Sequence, residues 1–340
     1  MDVIDFVNEI PINNIIVADS FVMADKIIND EKYKKIICSI SGGSDSDIML
    51  DLITKVDKYH KVQYVYFDTG IEYDATKRHL KYLEDKYGIT IKTLRAKKKS
   101  IPLSCKEYGE PFISKLVSEN IERLQRHGFT FEDKSFEELS AEYSGCRSAI
   151  EWWCNERKHL DAHDYSMFDI SYNKWLKEFL IENPPKFKIS SKCCNYAKKK
   201  VSHQIIRETK CDVMITGMRK SEGGIRAARY SSCFGFSTRY KTYMYRPIFW
   251  YTAQDKIQYE NLFNVIHSDC YTKYGFERTG CACCPYSKEY LHELNVTRMY
   301  EPLLYKAVTN IFSNSYAYTR EFNAFRRKMK NKEKGRVQLF

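Results

Sequence analysis

The short apolar run Ile36, Ile37, Cys38, Ser39 and Ile40 stops abruptly at Ser41, Gly42, Gly43, Ser44, Asp45 and Ser46. A strand that turns at two glycines into a helix is predicted, because Ile48, Met49, Leu52, Ile53 and Val56 then recur on one face at helical spacing. Such a corner aims several backbone N–H groups at one point; glycine permits close approach, and the helix start adds the positive end of its dipole. It is a place for phosphate or pyrophosphate. The loop lacks both a Gly-Lys-Ser/Thr ending and a G-x-G-x-x-G, which removes the Walker and dinucleotide-binding readings. A second apolar run at 62–67 ends in Asp68, Thr69, Gly70, Ile71 and Glu72, and a third at 212–216 leads into Gly217 and Arg219. An Arg at the C-terminal end of a strand is placed to hold a second anionic group, with surface pairing to Glu222 as the plainer alternative.

These segments resemble, in order, elements of one family. The loop at 41–46 resembles the S-G-G-x-D-S pyrophosphate loop of the PP-loop nucleotide hydrolases, and residues 68–72 resemble the D-T-G-x-E that follows the second strand in their PAPS (phosphoadenylyl-sulfate) reductase branch. Residues 217–222 resemble the G-x-R-x-x-E-S of that branch, with Gly223 in place of its Ser. Pro247, Ile248, Trp250 and Asp255 resemble its Pro-Ile…Trp…Asp element, in which Trp250 is read as packing. The chain is therefore similar to the PAPS reductase family of the PP-loop ATP pyrophosphatase, or adenine nucleotide alpha hydrolase, superfamily over residues 34–285. The resemblance implies a doubly wound, mostly parallel α/β sheet of Rossmann-like form, with a helical insertion and a cysteine-ligated cluster region. The expected order is a first part of the α/β domain at 1–96, a mostly helical insertion at 97–190, a second α/β part with the cluster ligands at 191–300, and a basic C-terminal helix or tail at 301–340. It further implies an adenine nucleotide (ATP, or adenylyl sulfate or PAPS) with Mg²⁺, bound by Ser39, residues 41–46, Asp68, Thr69, Gly70, Glu72, Gly217 and Arg219. Asp45, Arg219 and Cys233 are the expected catalytic residues.

Of twelve cysteines, most are isolated, Cys105 among them, and each of these reads as a buried thiol. Cys193 and Cys194 form a vicinal pair, and Cys281, Cys283 and Cys284 a C-x-C-C, enough thiolate for a four-ligand metal site. Zinc sites commonly use two C-x-x-C knuckles, whereas a vicinal pair suits a cluster whose irons are a few ångströms apart; zinc stays open. The arrangement resembles the ligand set of the iron–sulfur adenylyl-sulfate reductases, which implies a 4Fe–4S cluster on Cys193, Cys194, Cys281 and Cys284, leaving Cys283 spare.

The formal charge is +11. From 320 to 340 eight Lys or Arg stand against Glu321 and Glu333, either a nucleic-acid-binding arm or a solvated tail. Residues 223–254 contain no carboxylate but hold Arg226, Arg229, Arg239, Lys241 and Arg246 among tyrosines, a composition suited to an anionic substrate or a nucleic-acid backbone. Within 97–190, Trp152, Trp153, Trp175, Leu176, Phe179 and Leu180 read as core. No apolar run is long enough to span a membrane, and the acidic first residues lack a secretory pattern, so a cytoplasmic location is expected.

Two chemistries fit the family. Its reductases attack an adenylylated sulfate with a cysteine thiolate near the C-terminus, yet the 56 residues after Cys284 contain no cysteine; Cys233 or Cys283 would have to serve. Other relatives split ATP into AMP and pyrophosphate to activate an acceptor for sulfur transfer. The expectation is the second, with tRNA or DNA as acceptor and a separate sulfur donor protein. The alternatives are reduction of adenylyl sulfate and a non-catalytic nucleotide-binding redox sensor.

Overall fold

The computed structural model describes residues 3–11, 14–96, 99–157, 168–223 and 230–337; Arg226 and Arg229 lie outside them. The chain divides into two compact units, residues 1–97 with 197–282 and residues 98–196 with 283–340.

The first unit is built on one six-stranded sheet, in the order β3-β2-β1-β4-β6-β5. The strands are β1 (Ile36–Ile40), β2 (Val62–Asp68), β3 (Ile91–Arg95), β4 (Val213–Thr216), β5 (Phe234–Ser237) and β6 (Thr242–Tyr245). All neighbours run parallel except β5 and β6. The expected α/β fold is the one observed. A central parallel strand is covered on both faces, which is why β1 reads as a nearly unbroken apolar run; Ile36, Ile37, Cys38 and Ile40 are all buried.

From β1 the sheet extends to β2 and β3 on one side and to β4 on the other, so the strand order reverses there. Ligands bind at such reversals, beyond the C-terminal strand ends. Register fixes which loops meet at that edge. Ile40 lies opposite Tyr66, and Ser39 opposite both Val65 and Thr216. The loops that follow β1, β2 and β4 therefore leave side by side. The helix Ser44–Val56 then buries Ile48, Met49, Leu52, Ile53 and Val56 against the core. At roughly 2 kcal/mol each, these side chains contribute on the order of 10 kcal/mol before chain entropy is counted. That anchorage holds the helix start in place.

The second unit is helical. Its core gathers Phe112, Val117, Ile121, Trp152, Trp153 and Phe179 with Tyr318 and Phe322 of the long helix Ser313–Val337. Leu176 and Leu180 are buried as expected, but Trp175 is only half-buried. Trp175 adopts a left-handed backbone (φ 65°) at the start of the helix Leu176–Glu182, and Lys174 lies over its ring at 4.4 Å. Trp250, read as packing, is 44 % exposed in the first unit, with Lys220 over its ring. Among the described residues, no helix is long and apolar enough to cross a membrane.

Candidate functional site

The predicted corner forms at the end of β1. Gly42 has φ +67°, and a Cβ there would lie 2.7 Å from Thr76 Cγ2, so only glycine fits. The N-cap of the following helix is Gly43, and no side chain caps it. Helix geometry gives the first N–H groups no intrahelical acceptor. The Ser44 N–H donates to Tyr271 Oη at 3.0 Å, and Tyr271 in turn pairs with Thr279 Oγ1 at 2.9 Å. The loop hydroxyls brace the turn: Ser46 Oγ accepts from the Ser41 N–H at 2.9 Å, and Ser41 Oγ accepts from the Gly43 N–H at 3.3 Å. Gly217 enters from β4 so closely that a Cβ would sit 3.2 Å from the Asp45 carbonyl oxygen.

Charge converges on Asp45. Its Oδ1 lies 3.0 Å from Arg219 Nε and 3.2 Å from Lys256 Nζ, and Lys256 also donates to Ser44 Oγ. Burial opposes ionisation of this carboxyl, but Lys256 and Arg219 together outweigh it and hold its pKa below the ordinary carboxylate value. Arg219 and Lys256 thus stand as fixed cations beside the helix start, with Glu260 also 3.7 Å from Lys256, and a helix start flanked by cations is a place for an anion.

Behind the loop lies a second, more buried layer. Asp47 Oδ2 is 3.0 Å from His79 Nε2 and 2.8 Å from His267 Nδ1, and His267 Nε2 is 2.8 Å from Glu260 Oε1. Burial alone would lower the His267 pKa; its hydrogen bonds to Asp47 and Glu260 raise it from 6.5 to about 9. A histidine whose pKa is raised by folding stabilises the protein fully below its unfolded value, and that contribution is lost as pH climbs through the folded value. Substitution His267→Gln should therefore lower the melting temperature most near pH 6, with the difference from the parent closing by about pH 10. Parallel thermal melts across pH check this, and a gap that does not change with pH would contradict a protonated bridge.

The loop after β2 is braced internally. Glu72 is buried and accepts from the Thr69 N–H (3.1 Å) and hydroxyl (2.5 Å); Asp68 accepts from the Gly70 N–H at 2.7 Å and pairs with Arg95. Ser39 sits within β1 between its two neighbours. Cys233 lines a cavity of about 330 Å³ with Asp19, Tyr245 and Trp250, and burial pushes its thiol pKa up. Arg246 is buried, its guanidinium 3.9 Å from the centre of the Tyr230 ring. Asp255 caps its helix by accepting from the Thr252 N–H at 2.8 Å.

Sequence reading named Asp45, Arg219 and Gly217, which the first unit brings together, but missed Lys256, Tyr271, Thr279, Asp47, Glu260 and His267. The signal available for Lys256 was the capping box Thr252–Asp255, which starts a helix and places the lysine in its first turn.

The expected metal ligands divide by unit: Cys281 belongs to the first, and Cys193, Cys194 and Cys284 to the second. Among the described residues, no group of three or more His, Cys, Asp or Glu is arranged ready to hold a metal ion. The donor type is nevertheless one that a thiophilic metal takes: Cys193 and Cys281 are buried thiols, and Cys194 and Cys284 are half-buried. Cys283 is buried with φ 47°, and its thiol lies 3.3 Å from Thr297 Oγ1.

The family model for the phosphoadenosine phosphosulfate reductase domain matches residues 35–121 and 146–287. Among solved structures, the chain is similar to a phosphoadenylyl-sulfate reductase from Candida auris in a phosphate complex (12% identity, 76% of this chain and 87% of that one, TM-score 0.41). It is also similar to a U34-tRNA thiolase from Methanococcus maripaludis with its 4Fe–4S cluster (14%, 90% and 79%, TM-score 0.36). A third is an NH3-dependent NAD synthetase from Campylobacter jejuni in complex with nitrate (12%, 89% and 94%, TM-score 0.38). A comparison with curated proteins finds no match.

Proposed function

The chain belongs to the phosphoadenosine phosphosulfate reductase domain family, and from that membership we propose that it cleaves ATP to AMP and pyrophosphate to activate a nucleic-acid acceptor for sulfur transfer. The observation that carries this reading is the meeting of Arg219 and Lys256 at Asp45, beside a helix start capped by glycine alone. Pyrophosphate is the most highly charged product of such a reaction, and fixed positive groups at that point stabilise it as it leaves.

In the proposed reaction an acceptor oxygen attacks the α-phosphorus of ATP. The bond from that phosphorus to the α–β bridging oxygen breaks, and pyrophosphate departs with the electron pair. Sulfide delivered by the donor then attacks the activated carbon, forming the C–S bond as the C–O bond breaks and AMP departs with the electron pair. The N–H groups of Asp45 and Ser46, with Lys256 and Arg219, would hold the pyrophosphate. Mg²⁺ accompanying the nucleotide would supply charge neutralisation, with Asp45 in the first turn of the helix after β1 and Asp68 at the end of β2 as the nearby carboxylates. The 4Fe–4S cluster inferred for the cysteines is part of the same reading. Reduction of adenylyl sulfate would instead need an activated thiolate, and burial works against one at Cys233.

A cavity of about 540 Å³ in the second unit supports a nucleic-acid acceptor. Trp175 and Tyr290 line it with Arg320, Arg326, Arg327 and Lys330. Aromatic faces among guanidinium and ammonium groups suit an exposed base flanked by phosphates.

Pyrophosphate release from ATP by anaerobically prepared protein, with and without bulk tRNA or DNA, tests the proposal. Stimulation by one nucleic acid, lost in an Arg320→Glu/Arg327→Glu/Lys330→Glu variant, is expected. Sulfite release from adenylyl sulfate without any pyrophosphate release from ATP would overturn the reading.

A further inference from the structure

One cavity of the first unit shares no residue with the loops at 41–46, 68–72 and 217–222. It encloses about 330 Å³ and is lined by the helix Ile15–Ile28, by Cys233 ahead of β5, and by Tyr245 and the residues after β6. Ile15, Ile16, Met23, Pro247 and Trp250 give it the mostly apolar wall of a small-molecule site. Ile15 is 75 % exposed and Ile16 40 %, so that wall reaches solvent.

Two polar groups in the lining lack a protein partner. Tyr245 is 1 % exposed, and a hydroxyl so buried is ordinarily hydrogen-bonded. Here it meets no donor or acceptor among the described residues. The exposed carboxylate of Asp19 likewise has no hydrogen bond or ion pair among them. The remaining hydroxyls are satisfied, since Ser20 Oγ and Tyr251 Oη bond to one another at 2.7 Å. Arg246, next in the chain to Tyr245, is engaged elsewhere: its Nη1 donates to the Ser232 carbonyl at 3.5 Å, and its guanidinium lies over the Tyr230 ring. Lys220 lies over the Trp250 ring at 4.9 Å. An exposed carboxylate and a buried hydroxyl thus mark an open and a closed end of one apolar cavity.

We propose that this cavity binds a small amphipathic amine. Its ammonium group pairs with Asp19 at the open end, its aromatic or alkyl body lies against Ile16, Met23 and Trp250, and a polar atom at its far end bonds to the Tyr245 hydroxyl. Charge selects a cation at the mouth, and the orphaned hydroxyl, able to donate or accept, gains the partner that the fold withholds. The inference does not rest on the ATP-cleaving reading, since its test reads binding rather than turnover.

Tyramine carries all three parts; phenethylamine lacks the phenol, and para-ethylphenol lacks the amine. Binding of each to the full-length parent, Asp19→Asn and Tyr245→Phe proteins would be measured by calorimetry. Tyramine should bind the parent saturably. Asp19→Asn should weaken tyramine and phenethylamine roughly tenfold and leave para-ethylphenol unchanged. Tyr245→Phe should weaken tyramine and para-ethylphenol roughly fivefold and leave phenethylamine unchanged. Without ligand, Tyr245→Phe should melt no lower than the parent, because it sheds a hydroxyl to which the described residues give no partner. Bound tyramine should also slow alkylation of Cys233 by N-ethylmaleimide, read by peptide mass spectrometry. No saturable binding of tyramine up to about 5 mM, equal weakening of all three compounds in either variant, or undiminished Cys233 alkylation at saturation would overturn the proposal.

Discussion

Replacing Gly109 by alanine should lower the melting temperature by roughly 10 °C, reflecting a loss on the order of 3 kcal/mol. Gly109 ends the helix Ile101–Tyr108 at φ 111°, ψ 167°, a conformation available essentially to glycine alone. Strain is the smaller part of the cost. A Cβ at this position would stand 2.1 Å from the Lys188 carbonyl oxygen and 2.4 Å from its carbonyl carbon, and backbone cannot swing aside as a side-chain tip can. Around that crossing, the Glu110 N–H donates to the Lys188 carbonyl and the Ser190 N–H to the Glu110 carbonyl, both at 2.9 Å. An inserted methyl would part these segments. Gly128→Ala supplies the control within the same unit. Its φ is +73°, but nothing lies within 4 Å of the added carbon. It should cost only the left-handed penalty of about 1 kcal/mol. Equal losses in the two variants, followed by circular dichroism on heating, would mean that the crossing yields more easily than its geometry indicates.

What the sequence disclosed follows from how locally each feature is encoded. β1, β2 and β4 end in short motifs in which strand, turn and candidate site residues are consecutive, so one window carries both the local structure and the candidate chemistry. The helix after Gly43 shows its buried face through periodicity alone. Lys256 and His267 carry no such mark. Each is an isolated charged side chain on or after a helix with little apolar patterning, and only the tertiary fold brings it to Asp45 or Asp47. Trp175 misleads differently: its neighbours Leu176, Phe179 and Leu180 are core, but a left-handed residue turns the chain just there and leaves the indole half outside. The Asp68–Glu72 loop offers carboxylates in the right place, yet Glu72 is used to brace Thr69, a distinction that composition does not make.

Lys256→Met should reduce the rate of nucleotide-dependent pyrophosphate release by 10²- to 10³-fold, about 3–4 kcal/mol of transition-state stabilisation, while leaving the fold intact. The lysine spans the loop, touching Ser44 Oγ and Asp45 Oδ1, with Glu260 at 3.7 Å. Its side chain is 18 % exposed, so the methionine stem can keep the apolar contacts while the charge is lost. Were the lysine only one half of a structural ion pair, its removal would shift the melting temperature and leave turnover unchanged, since Asp45 retains Arg219. Were it to neutralise the departing pyrophosphate, kcat would fall more than KM rises, because the charge on that group grows as the bond breaks. Arg219→Lys provides the companion measurement. It preserves the charge and discards the guanidinium fork, so a smaller loss is expected there than in Lys256→Met. Because both cations act on one carboxylate, the double variant should depart from additivity. Asp45→Asn separates the remaining possibilities. A carboxylate that merely occupies the two cations in the absence of nucleotide would, once removed, let them bind anions more tightly. One that also faces Mg²⁺ would raise the metal concentration required for half-maximal rate. The Mg²⁺ dependence of pyrophosphate release in that variant therefore decides whether Asp45 restrains the cations or works with the metal.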